Sequence, residues 1–245
     1  MKCNPDRFIE ALIAVEMMEM HHQQAVIKEK QRKQAETCVV TVSRDFGSMG
    51  KLVAQQLADT LRLRCCDRYI LQEVARRAHV DEELVSVLDE HVSKINGHWW
   101  QHLLQKEVFS YEDYYQYLVK TILAVSRTGG VIIGRGANLI LGEKRAFRVR
   151  ITGSVEKCAE RVASREEIDI KAATKLVHEV NNERAEYIKK LYDTDINEPS
   201  NYDLVLNSDR YNKEQIVELI RESMKKAGYI LPDESQTQRL WIESP

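Results

Sequence analysis

The sequence predicts an α/β fold, a three-layer α/β/α sandwich built on a five-stranded parallel sheet. Short runs rich in β-branched residues alternate with long helical segments, and strands separated by helices pair in parallel through right-handed crossovers. Proline is absent from residues 6 to 198, which is typical of a helix-rich body without a disordered linker. A loop that contains two glycines joins the first strand to the first helix.

Composition narrows the classes of function. The chain has 245 residues, 43% apolar and 30% charged, which suits one globular domain with appendages. A net charge of −2 gives no support for a nucleic-acid partner or a membrane partner. Because no apolar run reaches the length of a membrane span and no signal-peptide pattern begins the chain, we expect a cytoplasmic protein. The five cysteines lack metal-type spacing, so we expect reduced thiols and no protein metal site.

Residues 38–53 contain the clearest functional pattern. Residues 38–42 are predicted as a buried strand, and from Leu52 the apolar residues recur with helical spacing. Between the two segments lies a loop that contains Gly47, Ser48, Gly50 and Lys51. A strand, a glycine loop and a helix N-terminus form a phosphate cradle, because the loop N–H groups and the helix dipole attract an anion. Lys51 adds a positive charge to that cradle.

The loop matches only part of the phosphate-loop pattern G-x-x-x-x-G-K-S/T. Gly50 and Lys51 fit its end. Asp45 stands where the first glycine would be, and Leu52 stands where the Mg²⁺-binding hydroxyl would be. A tight strand-to-helix turn without a ligand is the alternative interpretation of the same residues.

The next two predicted strands each end in a polar residue that lies at the ligand-binding edge of a parallel sheet. Residues 63–67 end in Asp67, which either faces a ligand or caps the following helix. Residues 131–134 lead into Arg135, which lies between two glycines. A guanidinium there can bind phosphate bidentately, and a surface arginine in a turn is the alternative.

Helical patterns fill the two long connections. Residues 69–127 are predicted as consecutive helices with a tyrosine cluster that either packs in the core or lines a nucleobase pocket, namely Tyr111, Tyr114, Tyr115 and Tyr117. Residues 154–193 are predicted as charged helices, in which Arg161 and Arg165 lie four apart on one face. These arginines belong to a solvated face unless the helical pair folds over the glycine loop as a lid.

Two further strands and a final helix complete the domain. Residues 147–152 are predicted as the fourth strand, and the placement of Arg148 and Arg150 on one face suggests a less covered edge of the sheet. Residues 201–208 contain the fifth strand, and residues 212–227 form the closing helix.

We therefore expect a domain over residues 38–228 with an appendage on each side. The N-terminal appendage, residues 1–37, is predicted as a helix that packs or forms homo-oligomers, and a membrane-surface helix is the weaker alternative. Residues 229–245 form a polar tail.

With these elements in place, residues 39–221 resemble the cytidylate kinase-like branch of the nucleoside monophosphate kinases. The resemblance rests on six stretches in the family's order: residues 41–50, 66–68, 134–136, 161 with 165, 182–187 and 202–208. It implies the P-loop NTPase fold, with a helical insert that binds the nucleoside monophosphate at about residues 68–127 and a helical lid at about 154–196. It also implies transfer of the γ-phosphoryl group of ATP to CMP or dCMP, with Mg²⁺.

The resemblance assigns a role to each matching residue. ATP binding falls to the loop and the residue before it: Arg44, Gly47, Ser48, Met49, Gly50 and Lys51. Binding of the acceptor nucleotide falls to Asp67, Arg135 and Arg184. Catalysis falls to Lys51, Arg161 and Arg165, which place positive charge around the transferred group.

Two positions depart from the pattern of the family. Met49 stands where many members carry a second glycine, and Asn181 stands where many carry an acid. These differences concern backbone approach to the phosphates, magnesium geometry and cytosine recognition. The alternatives to an active cytidylate kinase are a nucleotide-binding regulatory or scaffold protein without efficient transfer, and a kinase of another small acceptor.

Overall fold

A computed structural model describes residues 38–79 and 111–231 of the chain. The predicted N-terminal helix, the middle of the insert and residues 232–245 of the tail lie outside these ranges. Within them, five parallel strands form one sheet in the order β2-β3-β1-β4-β5. The strands are β1 (Val39–Arg44), β2 (Cys65–Cys66), β3 (Gly130–Ile133), β4 (Phe147–Thr152) and β5 (Leu204–Asn207). The predicted α/β fold with a five-stranded parallel sheet is confirmed.

The described helices cover both faces of the sheet. They are α1 (Gly50–Leu61), α2 (Arg68–Ala78), α3 (Tyr111–Ser126), α4 (Ala137–Leu141), α5 (Val155–Glu166), α6 (Ile170–Tyr192) and α7 (Lys213–Lys226), and a 3₁₀ turn spans Pro199–Asn201. Successive residues of β1 point to opposite faces. Val40 therefore packs into one apolar core with α1 and α7, whereas Val39 packs into a second core with α2, α3 and α4.

Polar caps determine where the two charged helices begin. The hydroxyl of Ser154 accepts a hydrogen bond from the N–H of Lys157 at the start of α5. The carboxylate of Asp169 accepts bonds from the N–H groups of Lys171 and Ala172, in the first turn of α6. Such caps satisfy helix N–H groups that would otherwise lack partners. Since α6 has 23 residues, it is about 35 Å long and passes from the glycine loop to the insert.

The prediction of a less covered sheet edge at the fourth strand is wrong. β4 lies between β1 and β5, so the edges are β2 and β5. Arg150 is only 3% exposed because its guanidinium binds three oxygens at 2.7–3.1 Å, those of Asp45, Asn197 and Ser43. Arg148 forms an ion pair with Asp203 at 2.7 Å. Alternating arginines in a strand indicate exposure only where partners on other elements are lacking.

The four described cysteines are free thiols. Burial raises the pKa of Cys38 to about 11, and burial together with Asp67 does the same for Cys65. No helix in residues 38–79 or 111–231 combines the length and the apolar character needed to cross a membrane.

The buried ion pair of Arg150 should make a large contribution to stability. We expect Arg150→Met to lower the free energy of unfolding by about 3 kcal/mol, because the substitution leaves the Asp45 carboxylate without its cation. The measurement is urea unfolding at neutral pH. Lys157→Met is the matched control, since Lys157 pairs with Glu160 on an exposed surface and should change the value by no more than about 0.5 kcal/mol. Equal losses in both variants would contradict a structural role for the Arg150 pair.

Candidate active site

The turn after β1 is a tight loop that leads directly into α1, as the sequence predicts. Gly47 has a φ of +84°, and a Cβ atom there would lie 2.6 Å from the carbonyl oxygen of Cys158 on α5. Gly50 begins α1, and a Cβ atom there would overlap the side chain of Arg44. Both positions therefore require glycine for steric reasons. Met49 also has a left-handed φ, of 61°, which a non-glycine residue adopts at a cost of about 1 kcal/mol.

Two side chains fix the loop to the neighbouring strand. The hydroxyl of Ser48 is fully buried and donates to the carbonyl oxygens of Asp45 and Ile151, at 2.9 and 3.1 Å. The N–H of Asp45 donates to Ile151, and its carboxylate binds Arg150. Asp45 does not have a positive φ, so the position of the first pattern glycine does not require glycine here.

A cavity of about 940 Å³ lies above the loop. The helices α5 and α6, here called the lid helices, form its other wall. Five basic side chains line the cavity, against three acidic ones: Arg44, Lys51, Arg161, Arg165 and Arg184 against Asp45, Glu160 and Glu166. The lid helices thus lie over the loop, which is the arrangement that the role of the lid arginines requires. An excess of positive charge in a concave site favours a polyanionic ligand.

The two predicted lid arginines are held differently. Arg161 is anchored, because its guanidinium donates to the carbonyl oxygens of Gly47 and Ser208, at 3.3 and 2.7 Å. It joins α5 to the loop and to the end of β5. Arg165 is more than half exposed, pairs with Glu166 at 2.8 Å, and lies 5.2 Å from the ring centroid of Phe46.

The lid helix α6 contacts the loop backbone directly. Arg184 donates to the carbonyl oxygen of Arg44 at 3.0 Å. Burial, reinforced by the nearby Arg44 charge, lowers the pKa of Arg184 to about 9, and the side chain is still a cation at neutral pH. Asn181 accepts a hydrogen bond of 2.7 Å from the N–H of Phe46. Asn181 therefore links the lid helix α6 to the loop.

Asp67 and Arg135 meet at the carboxyl ends of β2 and β3. The Asp67 carboxylate pairs with Arg135 at 3.4 Å and with Lys51 at 3.5 Å. Asp67 occupies the N-cap position of α2, but its side chain makes no capping hydrogen bond to that helix. The Arg135 side chain is 11% exposed, which excludes a surface arginine in a turn. Neither residue lines the loop cavity, and Lys51 connects that cavity to this pair.

Two tyrosine pairs join the insert helix α3 to the lid helix α6. The hydroxyls of Tyr114 and Tyr187 lie 3.1 Å apart and both residues are buried. The rings of Tyr115 and Tyr192 meet edge to face with centroids 5.9 Å apart. The Tyr192 hydroxyl also donates to the carbonyl oxygen of Arg135 at 2.7 Å. These tyrosines pack α3 and α6 together beside Arg135.

The contacts of Phe46, Asn181 and Tyr192 at the site were not predicted from the sequence. A local signal existed for Phe46, which is the one aromatic residue in a loop of small and polar residues. No local signal existed for Asn181 and Tyr192, because their partners lie 135 and 57 residues away.

Comparisons with known proteins place the chain in a family. The model of the cytidylate kinase-like family matches residues 39–210. Cytidylate kinase of Methanocaldococcus jannaschii is 23% identical over 192 residues, which cover 76% of this chain and 97% of that protein. Cytidylate kinase of Natronomonas pharaonis is 31% identical over 115 residues, which cover 47% of this chain and 59% of that protein.

A solved structure supports the fold alone. The crystal structure of an uncharacterized protein from Eubacterium ventriosum has a TM-score of 0.60 at 19% identity, over 77% of this chain and 98% of that one. The family match covers more than half of the described domain and of the chain. On that match, and on the sheet and loop that agree with it, the chain belongs to the cytidylate kinase-like family.

Proposed function

We propose that the protein is a nucleoside monophosphate kinase that transfers the γ-phosphoryl group of ATP to CMP or dCMP. The observation that carries the proposal is the loop cavity with its five basic side chains, joined through Lys51 to the Asp67–Arg135 pair. One region suits a triphosphate and the adjoining one suits a second phosphate group. The choice of cytosine as the acceptor base rests on the names of the relatives.

The chemistry needs positioning and positive charge more than covalent help. An oxygen of the acceptor phosphate attacks the γ-phosphorus of ATP, the bond from that phosphorus to the β,γ-bridging oxygen breaks, and ADP leaves. Lys51, Arg161 and Arg165 surround the transferred group, and their charge stabilises the negative oxygens in the transition state. Arg135 and Arg184 bind the acceptor nucleotide and its phosphate, Arg184 from the wall of the loop cavity.

The chain offers little for a protein-built magnesium site. The side chain of Leu52, at the hydroxyl position of the pattern, has no oxygen. In the part of the chain that the structure describes, no three His, Cys, Asp or Glu side chains are grouped to hold a metal ion. Asp45 and Asp67 are already engaged with cations. Mg²⁺ bound mainly by phosphate oxygens and water, as is usual for this ion, is compatible with these residues.

A regulatory nucleotide-binding protein without efficient transfer is the second candidate. Two observations favour it: Met49 occupies a left-handed position beside the cavity, and Leu52 replaces the hydroxyl.

The two candidates predict different products from one panel of substrates. With ATP, Mg²⁺ and each nucleoside monophosphate in turn, we expect ADP to form fastest with CMP or dCMP, measured by a coupled ADP assay. Tight ATP binding without ADP formation from any acceptor would favour the regulatory protein. Transfer to a different acceptor would retain the kinase and correct the substrate.

Arg135 should act on the acceptor and not on ATP. We expect Arg135→Ala to lower kcat/KM for the acceptor about 10²-fold or more, because a charge-assisted contact worth on the order of 3 kcal/mol is lost. Affinity for ATP, measured by calorimetry, should change by less than about threefold. Arg127→Ala is the control, since Arg127 is exposed beyond the end of α3. Equal loss of acceptor use and ATP binding would argue against this assignment.

A further inference from the structure

The ring of Phe46 lies close to two arginines that come from different lid helices. The guanidinium carbon of Arg165, on α5, is 5.2 Å from the centroid of its ring, and that of Arg184, on α6, is 5.7 Å away. Both distances fall within the range of cation–π attraction, in which the negative face of a ring attracts a cation. The ring also packs against the apolar core of the lid, which is formed by Cys158, Ala159, Val162, Ala173 and Val177.

The backbone around Phe46 is held by the same two helices. Its N–H donates to Asn181 of α6 at 2.7 Å, and the carbonyl oxygen of the next residue, Gly47, accepts a bond from Arg161 of α5 at 3.3 Å. The ring of Phe46 therefore contacts both lid helices, its own N–H bonds to α6, and the adjacent Gly47 bonds to α5.

These contacts offset repulsion among the basic side chains of the cavity. Arg165 and Arg184 share the cavity with Arg44, Lys51 and Arg161, and like charges repel one another when no phosphate lies between them. The charge of Arg184 is also disfavoured by burial, which together with the Arg44 charge lowers the pKa of Arg184. The ring offers each guanidinium a favourable surface that is not itself a charge and so does not compete for the ligand.

We propose that Phe46 is a positioning residue that couples the lid to the phosphate loop and orients Arg165 and Arg184 toward the polyphosphate before it binds. The inference rests on the proposed function for its catalytic consequence, but its structural part is independent of phosphoryl transfer. The ring acts through the two arginines and does not contact the reacting atoms.

Three variants of the full chain test the role of the ring. Phe46→Leu keeps an apolar side chain and removes the aromatic face, Phe46→Tyr keeps the face, and Phe147→Leu is the matched control, since Phe147 packs on Tyr229 away from the cavity. We expect Phe46→Leu to bind inorganic tripolyphosphate about tenfold more weakly by calorimetry, and Phe46→Tyr to stay within about threefold of the wild type. Phe147→Leu should bind tripolyphosphate as the wild type does.

Kinetics and NMR separate the inference from the proposed function. In the active kinase, Phe46→Leu should lower kcat about tenfold with little change in the acceptor KM, and Phe46→Tyr should restore it. Independently of activity, the Nε–H resonances of Arg165 and Arg184, assigned with Arg→Lys variants, should lose a ring-current shift in Phe46→Leu only. If these resonances and tripolyphosphate affinity are the same in Phe46→Leu and the wild type, the inference is wrong. A wild type that uses no acceptor but shows both effects would overturn the kinase and retain the role of Phe46.

Discussion

Positive charge must be gathered at one edge of the sheet and kept there before any phosphate arrives. The positive charges in and beside the site are balanced in more than one way. Arg150 is neutralised by Asp45 beneath the loop, and Lys51 and Arg135 share the carboxylate of Asp67. Within residues 38–79 and 111–231, no buried carboxylate is paired with either of the two lid arginines that face the ring of Phe46. The site thus holds its charge by carboxylates below the loop and an aromatic face above it.

The topology of the sheet decides which residues can take part. β1, which carries the loop, lies at the centre of the sheet, with β3 on one side and β4 on the other. The chain runs from β1 to β2 and β3 on one side, and then crosses to β4 and β5 on the opposite side. In open parallel sheets a crevice forms at such a point, outside the carboxyl ends of the strands. Arg44, Arg135 and Arg150 come from three adjacent strands or strand ends, and they converge although more than 100 residues separate the first from the last.

Much of this architecture could be predicted from the sequence, because strand and helix patterns are local. The strands at residues 39–44, 130–133 and 147–152 were visible as short β-branched runs, and the loop was visible through its glycines. Contacts between side chains that lie far apart in the sequence could not be predicted. Arg150 looked like a residue on an open face, because its partner Asp45 lies 105 residues earlier. The contact of Asn181 with the loop is equally invisible in the sequence, because 135 residues separate Asn181 from Phe46.

The incomplete match to the phosphate-loop pattern has a structural explanation. A glycine is required where another chain segment comes too close for a Cβ atom, which holds for Gly47 and Gly50, whereas Met49 adopts a left-handed backbone without being glycine. Asp45 does not have a positive φ, and its carboxylate is needed to neutralise Arg150. The position that the pattern reserves for glycine is therefore free to anchor the loop to β4. An irregular motif can preserve the cradle, provided that the residues which replace the pattern make contacts that hold the same backbone in place.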